Sequence, residues 1–338
     1  MIDDRDTPFP TDTSARFRRR MLLVVAAVCA ASVGLRLWFP YRAIPPNYGD
    51  GGPASRPDDS RDDLALPTTR SYDYQIHLDR LMPRVPAGFH VVVEYPFIVI
   101  GNDPPDRLRN YARDVVAWAV VRLRRDFFYA NPDQITDVWL FRDKASYEQY
   151  RTRLCQFPQD TPYGFYSEKD NALFMNIGTG RGTLVHLMLY PYLDSNFPAC
   201  PVWFSAGLAS LYEKPGDRGG HLYGYANWRL PDLQEGIRLG RVRPFSVLFS
   251  LYAGHFYTDR YADAQARYLC YYLQEKGLLL RFYRDFFSHQ QLDPTGIQTL
   301  AAVLGETDLE AFQLRWNQFV LQLGVPELHW VDGQGYQP

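Results

Sequence analysis

Positions 183–213 read TLVHLMLYPYLDSNFPACPVWFSAGLASLYE, and two helices are legible in them. In the first, Leu184, Leu187, Met188, Leu189 and Leu193 leave almost no polar face, which predicts a helix buried in the core rather than lying on the surface. His186 and Tyr190 stand one turn apart on it and so share a face. In that apolar setting His186 reads as a neutral core histidine, with Tyr190 placed to share a hydrogen bond with it. A Pro-containing stretch then leads to Trp203 and a second helix. There Ser205, Ala206, Gly207, Ala209 and Ser210 form a small-residue surface on which a neighbouring helix can approach closely.

Working outward, the chain of 338 residues is 46% apolar, enough to bury a sizeable core once chain entropy is met. A formal net charge of −2 gives no electrostatic reason to expect nucleic acid as a partner. Arg122, Arg124 and Arg125 sit in a helical pattern beside Asp126 and read as a solvated face.

The N-terminus divides into three parts. Residues 1–20 are a basic tail that includes Arg16, Arg18, Arg19 and Arg20. Residues 21–39 are apolar and long enough to span a bilayer if Arg36 snorkels and Trp38 lies at the interface. The competing reading is a cleaved signal peptide, with Ala30, Ala31 and Ser32 as small processing residues. In either case the arginines predict a cytoplasmic N-terminus, and the main domain is expected on the extracytoplasmic side. Residues 40–70, rich in proline and aspartate and poor in apolar side chains, are expected to be a disordered linker. Export makes a Cys155–Cys200 disulfide chemically allowed, since both cysteines lie in Pro-containing loops. Cys270 reads as a small buried hydrophobe within an aromatic helical pattern.

Residues 71–338 form the globular part, and its signals predict an α+β fold: a sheet part over 71–181 and a helical part over 182–338. HVVVEYPFIVIG (90–101) reads as one or two strands, DVWLFRD (137–143) as another, and Lys144–Leu154 as a short helix. The stretch 163–178 reads as a hairpin turning at Lys169, Asp170 and Asn171. Asp103-Pro104 opens a helical run that continues through Phe128. Asp293-Pro294 predicts a capped helix start, and Thr307–Glu310 a capping box.

The order of these segments resembles that of the peptidase MA-like gluzincins, a group of zinc metallopeptidases. In them a small sheet region precedes a zinc helix bearing His-Glu-x-x-His, and a later Trp-Leu-x-Glu-Gly-Leu-Ala segment supplies a third ligand. Here Gly182-Thr183-Leu184 leads into His186-Leu187-Met188-Leu189-Tyr190, and Trp203-Phe204-Ser205-Ala206-Gly207-Leu208-Ala209 follows. The resemblance covers about residues 90–323. It implies a zinc site at positions whose chemistry has changed. His186 stands at the first ligand position, Tyr190 at the second and Ala206 at the third, while Leu187 replaces the base that would deprotonate zinc-bound water. A phenol is protonated at neutral pH and alanine has nothing to donate.

The expectation is therefore a degenerate member with no catalytic residues, no metal and no cofactor: a membrane-anchored pseudo-peptidase acting as a binding or scaffolding module. The resemblance places its partner, a peptide or protein segment, in the cleft between the sheet and helical parts. Two alternatives stand beside it. One is an active hydrolase with a relocated or cysteine-based site, such as Cys200 with His186. The other is a purely structural envelope protein.

Overall fold

The β-branched run at 90–101 folds as a hairpin, β1 (His90–Glu94) and β2 (Phe97–Gly101), with His90 opposite Gly101. Strand β2 then pairs in parallel with β3 (Thr136–Phe141), and β3 with β5 (Ala172–Asn176). Strand β4 (Gly164–Ser167) adds antiparallel to β5, so the order is β1-β2-β3-β5-β4 and β4 is an edge. Every residue of β2, β3 and β5 is buried, as expected for strands covered on both faces. The computed structural model describes residues 68–338, with side chains from Tyr72 onward. The expected tail 1–20 and span 21–39, and all but the end of the linker 40–70, lie outside the described residues. Among the described residues no helix is long and apolar enough to cross a membrane.

Strand alternation divides the core in two. Trp139, Phe141 and Phe174 face one side, against α1 (Thr68–Leu81) and α4 (Lys144–Leu154). Val138, Leu140, Leu173 and Met175 face the other. That side is covered by α2 (Pro105–Tyr111), a π-helical stretch Ala112–Ala117, α3 (Trp118–Asp126) and α5 (Arg181–Asn196). Helix α4 begins where Asp143 Oδ1 accepts the Ser146 amide at 2.7 Å. Helix α1 starts at Thr68, so the last three residues assigned to the linker are helical.

Beyond α5 come α6 (Val202–Leu211), α7 (Leu230–Arg238), α8 (Phe245–Leu248) and α9 (Ala253–Phe256). Then follow α10 (Ala262–Glu275), α11 (Leu279–His289), α12 (Ile297–Leu304) and α13 (Leu309–Gln322). The described fold is thus α+β, and residues 68–338 belong to one compact unit. Helix α6 lies tightly on α10: a Cβ added at Gly207 would come within 2.8 Å of the Ala266 carbonyl oxygen.

Four details differ from the sequence expectation. The helical part contains a second sheet, made of β6 (Pro215–Arg218), β7 (His221–Gly224), β8 (His329–Val331) and β9 (Gly335–Gln337), in the order β7-β6-β9-β8. Helix α12 starts at Ile297 rather than at Pro294, because Gly296 sits at φ 76°, while Asp293 reaches forward to the Thr299 amide at 2.7 Å. The N-cap of α13 is Asp308, which accepts the Glu310 and Ala311 amides, so Thr307 is one residue early. The Cys155–Cys200 disulfide does not form: both thiols are free. Cys155 belongs to the core under α1 and α4, whereas Cys200 packs on the core of the opposite sheet face.

Candidate functional site

Helix α5 enters through Gly180 at φ 102° and buries Leu184, Val185, Leu187, Met188 and Leu189. Between Leu184 and Leu193 the two residues left half-buried are His186 and Tyr190. Leu187 does not look into the crevice between α5 and β4. It is 3% exposed, and its Cδ1 would lie 3.1 Å from a Cβ on Gly164, so it packs beneath the edge strand. His186 and Tyr190 meet edge to face, with centroids 5.4 Å apart at 83°, and not through the hydrogen bond expected from the sequence. The Tyr190 hydroxyl instead has that of Tyr257 as a neighbour, and its ring lies parallel to Tyr166 of β4 at 6.3 Å. His186 Nδ1 is buried with no hydrogen-bond partner.

Helix α6 supplies the other wall. Ala206 is 2% exposed, and its carbonyl accepts the hydroxyl of Ser210 one turn on. The same hydroxyl lies 3.1 Å from Asp263 Oδ1 on α10. Asp263 Oδ2 is 2.7 Å from Arg229 Nη1. Arg229 in turn grips Glu213 with both remaining nitrogens, Nη2 to Oε1 at 2.7 Å and Nε to Oε2 at 3.1 Å. Asn227 Nδ2 donates to Glu213 Oε2 at 2.8 Å. The result is a Glu213–Arg229–Asp263 ion triad whose side chains are only 15%, 20% and 27% exposed.

The two carboxyls are pushed in opposite directions. Burial works to raise Glu213, but the hydrogen bonds and charge of Arg229, aided by His186 and Arg267, overcome it and hold the group below the ordinary glutamate value. For Asp263 burial wins. Repulsion from Glu213 adds to it, and the pull of Arg229, His186 and the Ser210 hydroxyl does not compensate, so the group lies above the ordinary aspartate value. A second guanidinium, Arg267 of α10, is fully buried at the end of α6. Its Nε donates to the Ser210 carbonyl at 2.9 Å, and its Nη2 donates to the carbonyls of Leu211 and Tyr225. A cation there complements the negative end of the helix.

The positions selected by sequence therefore fall in one neighbourhood, with His186 and Tyr190 on α5 and Ala206 on the facing helix. Their donor set does not fit zinc. Burial drives the Tyr190 phenol well above its ordinary value, and Ala206 offers no ligand. Among the described residues no group of three or more His, Cys, Asp or Glu side chains is arranged to hold a metal ion. The cysteine alternative fares no better. Cys200 Sγ lies 3.8 Å from the Pro201 carbonyl, and burial raises its thiol well above the ordinary value. His255, of the helical part, pairs with Tyr252 at the surface, at 2.9 Å.

Glu213 closes the stretch 183–213, but sequence reasoning missed Arg229, Asp263, Tyr257 and Arg267. One signal was present. Asp263 and Arg267 are four apart on a helix whose other buried positions are, Gln265 apart, aromatic, leucine or small, and charges on such a face ask for partners. No family model matches this chain, and comparison with curated proteins finds no match.

Proposed function

We propose that this chain is a membrane-anchored, exported pseudo-peptidase: a gluzincin-like framework without zinc that binds an extended peptide or protein segment between β4 and the α5–α6 pair. The observation that carries it is the Glu213–Arg229–Asp263 triad beside His186 and Tyr190, where a tethered guanidinium supplies the positive charge that two enclosed carboxylates require. Edge strand β4 supplies the complementary surface. The Asn176 amide bonds the Tyr163 carbonyl, and antiparallel alternation then turns the backbone groups of Gly164 and Tyr166 away from β5. Those groups are suited to strand addition, with Tyr166 and Tyr190 as flanking rings.

The test uses the full chain in detergent. After dialysis against zinc it is expected to retain no stoichiometric metal and to cleave no peptide. Linear peptides selected on it from a display library should slow amide exchange at Gly164 and Tyr166. Stoichiometric zinc with peptidase activity would overturn the proposal, and protection confined to other strands would remove the β4 site. The variant carrying Leu187→Glu, Tyr190→His and Ala206→Glu is expected to gain zinc. A folded triple variant that takes up none would reject the peptidase framework while leaving peptide binding to the exchange experiment. The packing of Tyr257 beside Tyr190 favours one second reading, a purely structural envelope protein whose crevice is closed by side chains. Absence of any selectable peptide, before and after Tyr257→Ala, is the outcome expected of it.

A further inference from the structure

On the sheet face opposite α5, helix α1 stands off from the strand ends and leaves a cavity of about 690 Å³. Asp73, His77 and Arg80 line it from α1, at spacings that put all three on one helix face. The loop into β3, with Asp133 and Gln134, and the β4–β5 turn form the other walls. On the α1 wall His77 Nε2 lies 2.8 Å from Oδ1 of Asp137, whose side chain is 7% exposed. An ionised carboxylate can only accept, so in the tautomer with its proton on Nε2 the His77 ring offers Nδ1 as an acceptor.

The charges around His77 are sorted along the cavity. Asp73 and Asp133 also line an adjoining cavity of about 230 Å³ that Arg80 does not reach, so the two carboxylates share one end and the guanidinium marks the other. Among the described residues the side chains of Asp73, Asp133 and Arg80 have no ion-pair partner. The β4–β5 turn brings three more charged groups to the wall, of which Glu168 is already engaged by a partner. Lys169 lies over the Phe157 ring at 3.7 Å, and Asp170 accepts the Ser167 hydroxyl at 2.7 Å. Seven residues of helix separate Asp73 from Arg80, a rise of roughly 10 Å. An extended chain covers about 3.3–3.6 Å per residue, so that distance matches the span from the ammonium to the carboxylate of about three residues.

We propose that this cavity binds a short peptide of about three residues with both termini free, its ammonium on Asp73 and Asp133, its carboxylate on Arg80, and a backbone amide donating to His77 Nδ1. The volume lies within the roughly 300–1,000 Å³ of small-molecule sites. Because the cavity lies across the sheet from His186, it stands or falls independently of the crevice.

Calorimetric titration of the full chain in detergent, with trialanine as the probe, tests it. Saturable binding is expected. Acetylating the amine or amidating the carboxyl should each weaken it about tenfold, the order expected for one lost charge-assisted contact. Asp73→Asn should weaken free trialanine yet leave the acetylated peptide unchanged, and Arg80→Gln should do the same for the amidated one. Both residues lie at the surface, so neither substitution threatens the fold. No saturation at millimolar trialanine, or equal binding of the blocked peptides, overturns the proposal.

Discussion

Replacing Arg229 by Met keeps the side-chain stem but strips the counter-ion from two enclosed carboxylates. The wild-type guanidinium makes two bonds to Glu213 and one to Asp263, and also sits 4.3 Å from the Trp228 ring centroid. Breaking a buried pair by removing one partner costs about 3–5 kcal/mol, whereas exposed pairs contribute about 0–1. With Glu213 and Asp263 side chains 15% and 27% exposed, the lower end applies, about 3 kcal/mol. At roughly 2–4 °C per kcal/mol for a domain of this size, the unfolding midpoint should fall by about 6–12 °C.

The loss also carries a pH signature. Glu213, held low by Arg229, contributes stability above its unfolded-state value, and that contribution disappears as pH falls through its folded value. Asp263, held high, works the other way and costs stability as pH rises past its unfolded-state value. Without Arg229 both carboxyls take up protons more readily, so the variant gains on the wild type on acidification. The gap should be widest near neutrality and narrow through the ordinary carboxylate range, about pH 4. Urea unfolding followed by tryptophan fluorescence across that range reads it, and Glu213→Gln in the Met background should recover part of the loss. A variant within about 1 kcal/mol of wild type at neutral pH, or a gap independent of pH, would refute the charge-balance reasoning.

Gly207→Ala should destabilise by about 1–2 kcal/mol in urea, because overpacking against the Ala266 carbonyl outweighs the gain in helix propensity. A neutral or stabilising result would mean that α6 and α10 are not in the contact described. Asp308→Ala should cost about 1 kcal/mol as a lost cap and Thr307→Ala close to nothing; the reverse order would restore Thr307 as the cap of α13. In alkylation at mildly alkaline pH, Cys155, Cys200 and Cys270 should react slowly while the chain is folded and rapidly once it is unfolded, since burial raises all three thiols. A Cys155–Cys200 peptide in a non-reducing digest would contradict the free thiols.

The central sheet was legible because its strands state themselves locally. Phe97–Gly101 and Thr136–Phe141 are apolar and β-branched or aromatic, and Asn171, at φ 46°, marks the turn between β4 and β5. The second sheet was not. Pro-Gly-Asp-Arg at 215–218 has no strand pattern and is extended because it pairs with His221–Gly224 and, through Gly216, with Gly335 more than a hundred residues on. Such pairing is a property of the folded chain, invisible to a local window. The candidate site divides on the same line. His186, Leu187, Tyr190 and Ala206 lie within one short stretch and could be read together, while the triad draws on residues 213, 229 and 263 from three separate segments. Leu187, read in the sequence as standing at the base position, points under β4 rather than into the crevice.

Charge balance connects the triad to the fold. Two carboxylates, Glu213 and Asp263, face two guanidiniums, Arg229 and Arg267, and no net charge remains for an ion to neutralise. A zinc ion in such a place would bring a vacant coordination position and make bound water acidic. A guanidinium brings neither. Its planar fork saturates carboxylate oxygens, and it stays tied to the chain through all pH values the protein meets. Arg229 spends its nitrogens on Glu213 and Asp263, and Arg267 spends Nε and Nη2 on helix-end carbonyls. The cations that complete this core are thereby committed to holding α6, α10 and the loop at 225–229 together. Any ligand entering from the β4 side meets rings and backbone there, not an electrophile.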